Sequence, residues 1–384
     1  MVGMPAMVGV RAMRWRELCS EALRNIGTGA ARAVWWFLAV LLAGLLLGGY
    51  EAMTVIGQER EASSRIAMNA DVRVLTGGSP VDGVACDGLT RAANGPQASG
   101  AMRKGPQVEP ASTPGVDLSS YEVTDGMIRL LAVGDADRLQ VADASGIWVS
   151  ADVARDFGMV EGGVLETTDG TVRVAGVFDW PNDGRDTRFG YAVIVPVGED
   201  SPSSETGATT FEECWAKQWP VNPGLDSLML ATVVAGGGDA HGQASGVMGL
   251  NRGADSRYDA AAAYASRSTR MMPVLGLALG ALIGVLSVRR RRLEYAGALH
   301  SGQRKVDLLA QVGVETLIWG GEAVLAAVSL LTAYTWRWSL TSPASVLLAA
   351  VRTPMAMLCG LLLGGLACAA GIRESQLFRY FKAR

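Results

Sequence analysis

The chain reads as a membrane protein of four transmembrane α-helices, with an α+β extracytoplasmic domain of two lobes carried on a helical stalk between the first and second. Three observations predict this class. Four long runs are apolar, basic residues collect in short pieces beside those runs, and the long stretch between the first two runs is acidic with β-type alternation. Only 18% of the 384 residues are charged and the mean hydropathy is +0.22, whereas soluble domains carry about 25% charge. That composition excludes a nucleic-acid binder, a disordered chain and a small secreted scaffold.

The four runs cover 33–50, 271–288, 312–335 and 353–372. Three contain no charge, and 312–335 holds two acids, Glu315 and Glu322. Roughly 20 apolar residues, at about 1.5 Å each, cross about 30 Å of hydrocarbon. No small-x-small cleavage site follows Gly48, so the first run is expected to stay as an anchor and not leave as a signal peptide. Residues 1–34 hold five Arg against two Glu, 289–311 six Lys/Arg against two acids, and 373–384 four against one. Residues 50–270 hold 17 Lys/Arg against 30 Asp/Glu. Short basic flanks stay on the cytoplasmic side, so both termini are expected inside and the acidic stretch outside.

The expected layout follows. Residues 1–32 form a cytoplasmic amphipathic N-terminal helix, 33–50 the first span and 51–270 the extracytoplasmic domain with helical stalk ends. Residues 271–288 are the second span, 289–311 a basic cytoplasmic coupling segment and 312–335 the third span. Residues 336–352 are an outer loop, 353–372 the fourth span and 373–384 the cytoplasmic tail. Within the outer loop, 345–351 reads as a short interfacial helix ended by Arg352 and Pro354. Arg352 snorkels to the headgroups. Trp336 and Trp338 suit the outer aromatic belt, and Trp35 and Trp36 the inner one.

In the outer domain, 51–67 and 255–270 are rich in helix formers and continue the adjoining spans as a stalk. Strands are expected at 71–76, 127–133, 164–168, 171–178 and 191–195. Helices are expected at 81–93 and at 151–157, the second capped by Ser150. Asp169-Gly170 reads as a hairpin turn. The polar, glycine-rich stretches 92–115, 198–207 and 236–253 read as loops. Cys86 and Cys214 are the two cysteines placed outside. They either form a disulfide closing a long loop or stay as buried thiols.

Catalytic chemistry is not visible. There is no G-x-x-x-x-G-K-[ST], H-E-x-x-H, C-x-x-C or G-x-S-x-G. His241 and His300 fall on opposite sides of the expected membrane and cannot share a metal. Glu212 and Glu213 read as a solvated surface pair, and the glycines 236–238 as a linker. No catalytic residue, metal or cofactor is therefore expected in this chain. Glu322 is an acid deep in an apolar helix; it either pairs across a dimer or stays neutral.

Three patches carry a resemblance to a known family. The stretch 21–38 (EALRNIGTGAARAVWWFL) shows an A-x-R-N pattern and then an Arg before the first span. The stretch 148–181 has a short helix, an x-x-G-G turn and a V-x-G-V strand in succession. In 291–309 Arg291, Arg292 and Glu294 precede Ala298 and Leu299, then Arg304, Lys305 and Val306, with Glu315 opening the third span. The pattern resembles the MacB/FtsX-type permease subunits of ABC transporters, which have four membrane helices and a large external domain after the first. It departs from them at His300, where the family usually has Gly, and in the closer spacing of Glu294 to Ala298.

The resemblance implies a transport subunit, not an enzyme, worked by two copies of a separate ABC ATPase that holds ATP and Mg. It also implies a second permease chain, identical or related, a MacB-like outer domain with room for an extracytoplasmic accessory protein, and a bacterial cell membrane. The Ala- and Gly-rich composition suggests an actinobacterium. The implied ATPase contacts are Glu294, Leu299, His300, Lys305 and Val306. Family members are thought to transmit motion to the outer domain instead of opening a pore, here to export a peptide, antibiotic or lipid-linked molecule. An FtsX-like activation of a cell-wall hydrolase is one alternative reading; a membrane-anchored receptor without an ATPase is the other.

Overall fold

The computed structural model describes residues 15–29, 32–131, 145–168, 170–197, 210–235, 244–254 and 258–376. The chain divides into two compact units, Met1–Arg60 with Ala262–Arg384, and Glu61–Ala261. It opens with α1 (Trp15–Gly27) and α2 (Ala33–Ala67). α2 is one unbroken helix of 35 residues, about 52 Å long at 1.5 Å per residue. Its first half is the apolar run; its second half is polar but free of Pro, so nothing in the sequence ends the helix at the change of polarity.

The second unit is built on strands. In chain order they are β1 (Val72–Thr76), β2 (Val81–Asp82), β3 (Ala98–Lys104), β4 (Ser119–Val123), β5 (Ile147–Ser150), β6 (Val164–Thr167), β7 (Gly170–Phe178), β8 (Ala192–Pro196), β9 (Thr210–Phe211), β10 (Glu213–Lys217) and β11 (Gly246–Gly249). Nine of them form a single mixed sheet in the order β11-β1-β10-β3-β4-β8-β5-β7-β6, and β2 pairs with β9. The β4–β8 and β5–β7 pairs are parallel, the other named pairs antiparallel. The expected two lobes are thus halves of one sheet, joined where β4 meets β8. Short helices cover it: α3 (Gly83–Gly88), α4 (Asp125–Leu131), α5 (Ala151–Asp156) and α6 (Leu225–Leu230). One core gathers Leu75, Ala101, Leu225 and Met229 around a disulfide between Cys86 of α3 and Cys214 of β10. A second gathers Leu118, Val149, Val153, Val174 and Val193; a third is aromatic, with Tyr121, Trp148, Phe178, Phe189 and Trp215.

Several expectations need correction here. Residues 127–131, expected in a strand, belong to α4, and 132–133 lie outside the described residues. A short apolar run does not distinguish strand from buried helix, and here Met127, Ile128 and Leu130 are buried as one helix face. The stretch 92–115, expected as a loop, contains the buried strand β3. Its small residues are required by its neighbour: a Cβ on Gly100 would lie 2.0 Å from the Met127 nitrogen of α4. Residues 81–93 split into β2, α3 and a 3₁₀ turn at Leu89–Arg91, with Asp82 capping α3 through the Val84 and Ala85 amides. Of 236–253, residues 246–249 form β11, and 236–243, His241 included, lie outside the described residues, as do 198–209. Ser150 does cap α5. β6 and β7 form a hairpin with Thr167 opposite Gly170; Asp169 is outside the described residues.

After the sheet come α7 (Ala260–Ala265), α8 (Met272–Arg290), α9 (Arg292–His300), α10 (Lys305–Trp338) and α11 (Pro343–Ala370). The expected continuous stalk helix over 255–270 is broken after Ala265. The Ser266 hydroxyl turns back onto the Ala262 carbonyl at 2.8 Å, and Pro273 sits in the first turn of α8, where its missing N–H does no harm. Among the described residues, four helical stretches are long and apolar enough to cross a membrane: Ala33–Ala67, Ala260–Arg290, Lys305–Trp338 and Pro343–Ala370.

α8 and α11 are in backbone contact. A Cβ on Gly280 would lie 2.1 Å from the Met357 carbonyl, and one on Gly360 2.0 Å from the Leu277 carbonyl. Glycines at four-residue spacing are how membrane helices approach this closely. The separate helix expected at 345–351 is also corrected, because α11 runs unbroken through Arg352 and Pro354. Proline inside a helix frees the carbonyl four residues earlier. That carbonyl, Ala350, faces Gly48 of α2, where a Cβ would come to 3.0 Å, so bare backbone covers the defect.

Two buried or half-buried carboxylates of α2 organise the far end of this unit. Glu51 is fully buried and pairs with Arg267 at 3.1 Å, and the Thr353 hydroxyl donates to it at 3.4 Å. Glu59 accepts from the Leu340, Thr341 and Ser342 amides at 3.1, 2.6 and 3.0 Å and from the Ser339 hydroxyl at 2.9 Å, and the Thr341 hydroxyl also donates to it. It holds the turn that joins α10 to α11.

Candidate functional site

The basic bend between α8 and α10 is folded, not a solvated loop. α9 fills most of it. Gly302, at φ +96, makes the left-handed turn after α9 that a side chain would resist. Val288, Tyr295, Ala296, Leu308, Val312, Ala369 and Ile372 form its core, with Leu299 packed against them.

Beneath that core lies a charged joint. Arg291, at the end of α8, is held by Glu315 of α10 at 2.5 Å and by Glu294 of α9 at 2.8 Å. The second Glu315 oxygen accepts from Asn25 of α1 at 2.6 Å and from Gln311 at 3.3 Å. Gln303 in turn donates to Gln311 at 3.1 Å. The Arg291 guanidinium lies 5.0 Å from the Tyr295 ring centre. Burial works against the charge on Arg291, but the carboxylates of Glu315 and Glu294 outweigh it and raise its pKa further. Burial also pushes the Tyr295 hydroxyl well above its ordinary value, so it stays neutral. The cavity beside the joint is only about 10 Å³, about one water. This is a packed connection of four helices, not a ligand pocket.

Above the joint is the surface. Glu294 and His300 are exposed at opposite ends of α9, with the His300 Nδ1 2.9 Å from a Glu374 carboxylate oxygen. Lys305 and Val306 are exposed on the first turn of α10, Val306 to 74%. Leu299 alone of the five expected contact residues turns inward. Of the two expected intramembrane acids, Glu315 is this joint's anchor, whereas Glu322 is exposed on the flank of α10.

The outer acidic pair is corrected. Glu212 is exposed, but Glu213 is buried, gripped by both Arg188 nitrogens at 2.8 and 2.7 Å and by the Trp215 indole N–H at 2.8 Å. Glu212 lies in the bend between β9 and β10, whereas Glu213 opens β10, whose residues are all buried. Among the described residues no group of three or more His, Cys, Asp or Glu could hold a metal ion.

No family model matches this sequence, and no curated protein matches it. Solved structures do. A domain described as belonging to a permease protein from Porphyromonas gingivalis is 14% identical, covering 48% of this chain and 93% of that one, with a TM-score of 0.33. The periplasmic region of MacB from Actinobacillus actinomycetemcomitans is 9% identical, covering 40% of this chain and 78% of that one, with a TM-score of 0.29.

Sequence reasoning missed Gln311 and Gln303 as parts of the joint. A usable signal existed for Gln311: it stands one turn before Glu315 in the same helix, where i and i+4 side chains meet.

Proposed function

We propose that the chain is the permease subunit of a MacB/FtsX-type ABC transporter, moved by a separate ATPase that docks on the α8–α9–α10 bend. One observation carries this reading: Asn25, Arg291 and Glu315, taken from two separate patches of family resemblance, meet in a single joint, and Glu294 ties that joint to the exposed surface above it. A fully satisfied polar network is rigid, so force applied at α9 is handed to α1, α8 and α10 together. Val306, an apolar knob beside Lys305 and Arg304, suits helix-in-groove recognition. Two ATPase copies, each with its ATP and Mg, would then serve two permease chains, identical or related. The charge asymmetry supports a cytoplasmic bend and an extracytoplasmic sheet domain. The motion would pass through the membrane helices and α2 to that domain, to expel a peptide, antibiotic or lipid-linked molecule.

The test is co-purification. The tagged full-length chain is co-expressed with candidate ABC ATPases from its own genome and isolated in detergent, with and without Val306→Asp. The wild-type chain should retain the ATPase and Val306→Asp should lose it at an unchanged melting temperature. Leu299 is a poor probe because its substitution would disturb the core. Failure of even the wild-type chain to hold the ATPase would favour the receptor reading.

A further inference from the structure

The cleft lined by Arg32, Trp35, Trp36, Ala39 and Arg290 shares only Trp36 with the cavity beside the joint, and its two arginines take no part in the joint's hydrogen bonds as described above. We propose that it binds the phosphodiester headgroup of an anionic membrane phospholipid, whose acyl chain lies along α2. The cleft has a volume of about 290 Å³, room for a headgroup and more than an inorganic ion needs. It is built where two apolar runs meet their cationic flanks: Arg32 immediately precedes α2, and Arg290 closes α8. Among the described residues no carboxylate lines it, and the two guanidiniums face one opening. The Arg290 guanidinium stands 5.7 Å from the Trp36 ring centre, a cation–π contact that limits where it points. Trp35 is 75% exposed, and indoles concentrate at the headgroup level of membranes.

The apolar side of the ligand is also provided for. Leu38, Leu42 and Leu46 are exposed on α2 at four-residue spacing, one continuous stripe that starts at the cleft. Inorganic phosphate would satisfy the arginines and leave that stripe unused. A zwitterionic lipid would bring its own ammonium against the guanidiniums. An anionic phospholipid matches both halves. The inference needs only that α2 and α8 span a membrane, and stands or falls separately from the ATPase.

The experiment is native mass spectrometry of the full-length chain in detergent, with phosphatidylglycerol or phosphatidylcholine added. The proposal expects phosphatidylglycerol to be retained preferentially. The Arg32→Gln/Arg290→Gln double variant should weaken that retention about thirtyfold, each basic group at an anionic lipid surface contributing about fivefold. Arg373→Gln, an exposed arginine outside the cleft, should leave it unchanged. Glycerol phosphate at millimolar concentration should not displace the lipid; displacement would make this a free-anion site and overturn the lipid assignment. Equal retention of the two lipids, or full retention by the double variant, also overturns it. So does a double variant that changes the oligomeric state with lipid retention intact, since that gives the cleft to a second copy. A photoreactive phosphatidylglycerol on the wild-type chain keeps the test independent of variant folding: its adduct should map to 35–46, and an adduct only elsewhere refutes the site.

Discussion

Glu315 is a carboxylate that an apolar helix could not hold alone, and its partners decide what it does. Removing one member of a buried, hydrogen-bonded ion pair leaves the other uncompensated and costs about 3–5 kcal/mol. Glu315→Leu is therefore expected to lower the melting temperature of the detergent-purified chain sharply, and Arg291→Met/Glu315→Leu to recover most of the loss. A double variant no more stable than the single one would show that the pair is not the source of the effect. Glu59 offers a pH-dependent counterpart. Burial pushes its pKa up, but the hydrogen bonds from Thr341, Leu340 and Ser342 outweigh that and hold it at about 2, below the ordinary 4.5. A depressed carboxylate contributes stability above its unfolded pKa and loses it as pH falls through the folded one. The melting-temperature gap between wild type and Glu59→Gln should thus be full at pH 7 and shrink between pH 4.5 and 2; a gap independent of pH contradicts this role. Parts of the joint were legible as residue types: an acid in an apolar run, arginines beside it, an Asn in the N-terminal motif. The pairing was not, because Asn25 and Glu315 stand 290 positions apart and no local period links them.

At the scale of elements, legibility followed period and flanks. The membrane helices and the hairpin β6–β7 repeat one pattern long enough to declare themselves. β3 did not, since its Ser, Gly and Ala residues answer to α4 packed above them and not to strand propensity. α4 was misread for the opposite reason, as β-branched and apolar content mimicked a strand where a helix face was needed. The α8–α11 contact makes a direct prediction of its own. Gly280→Val places a branched side chain where the Met357 carbonyl already sits, and should cost at least about 1–3 kcal/mol and reduce the yield of monodisperse protein. Gly321→Ala, on α10 with nothing within 4 Å of the added Cβ, should be neutral or gain up to about 1 kcal/mol. Fluorescence-detected size exclusion after heating separates the two; equal behaviour would mean that the helices can part without loss. The disulfide acts on the same scale. It closes a loop of 128 residues in sequence separation, for which chain entropy predicts about 5 kcal/mol. Cys86→Ser/Cys214→Ser should accordingly make the sheet unit far more sensitive to protease in the full-length chain, and unchanged digestion would show that the core around α3 and α6 suffices without the bond.

For the molecule as a whole, four apolar helices fix only that the chain can cross a membrane; which unit faces which side rests on charge. Arg289, Arg290, Arg291 and Arg292 are consecutive at the bend, and moving such a cluster across hydrocarbon is prohibitive. The sheet unit meets no corresponding barrier, since long domains are translocated largely whatever their charge. Arg291 is moreover spent on Glu315, so the bend cannot be both folded and drawn through. The decisive measurement is site-directed labelling in a background with Cys19, Cys359 and Cys368 replaced and the disulfide kept. Val160, 65% exposed in the sheet unit, and Val306, 74% exposed at the bend, are the two reporters. With a membrane-impermeant maleimide, Val160→Cys should react in intact spheroplasts and Val306→Cys only after the membrane is opened. The reverse pattern would put the bend outside, where no ATP is held, and the motor-driven reading would fall with it. Labelling of both in intact cells would mean that the charge segregation does not orient this chain at all.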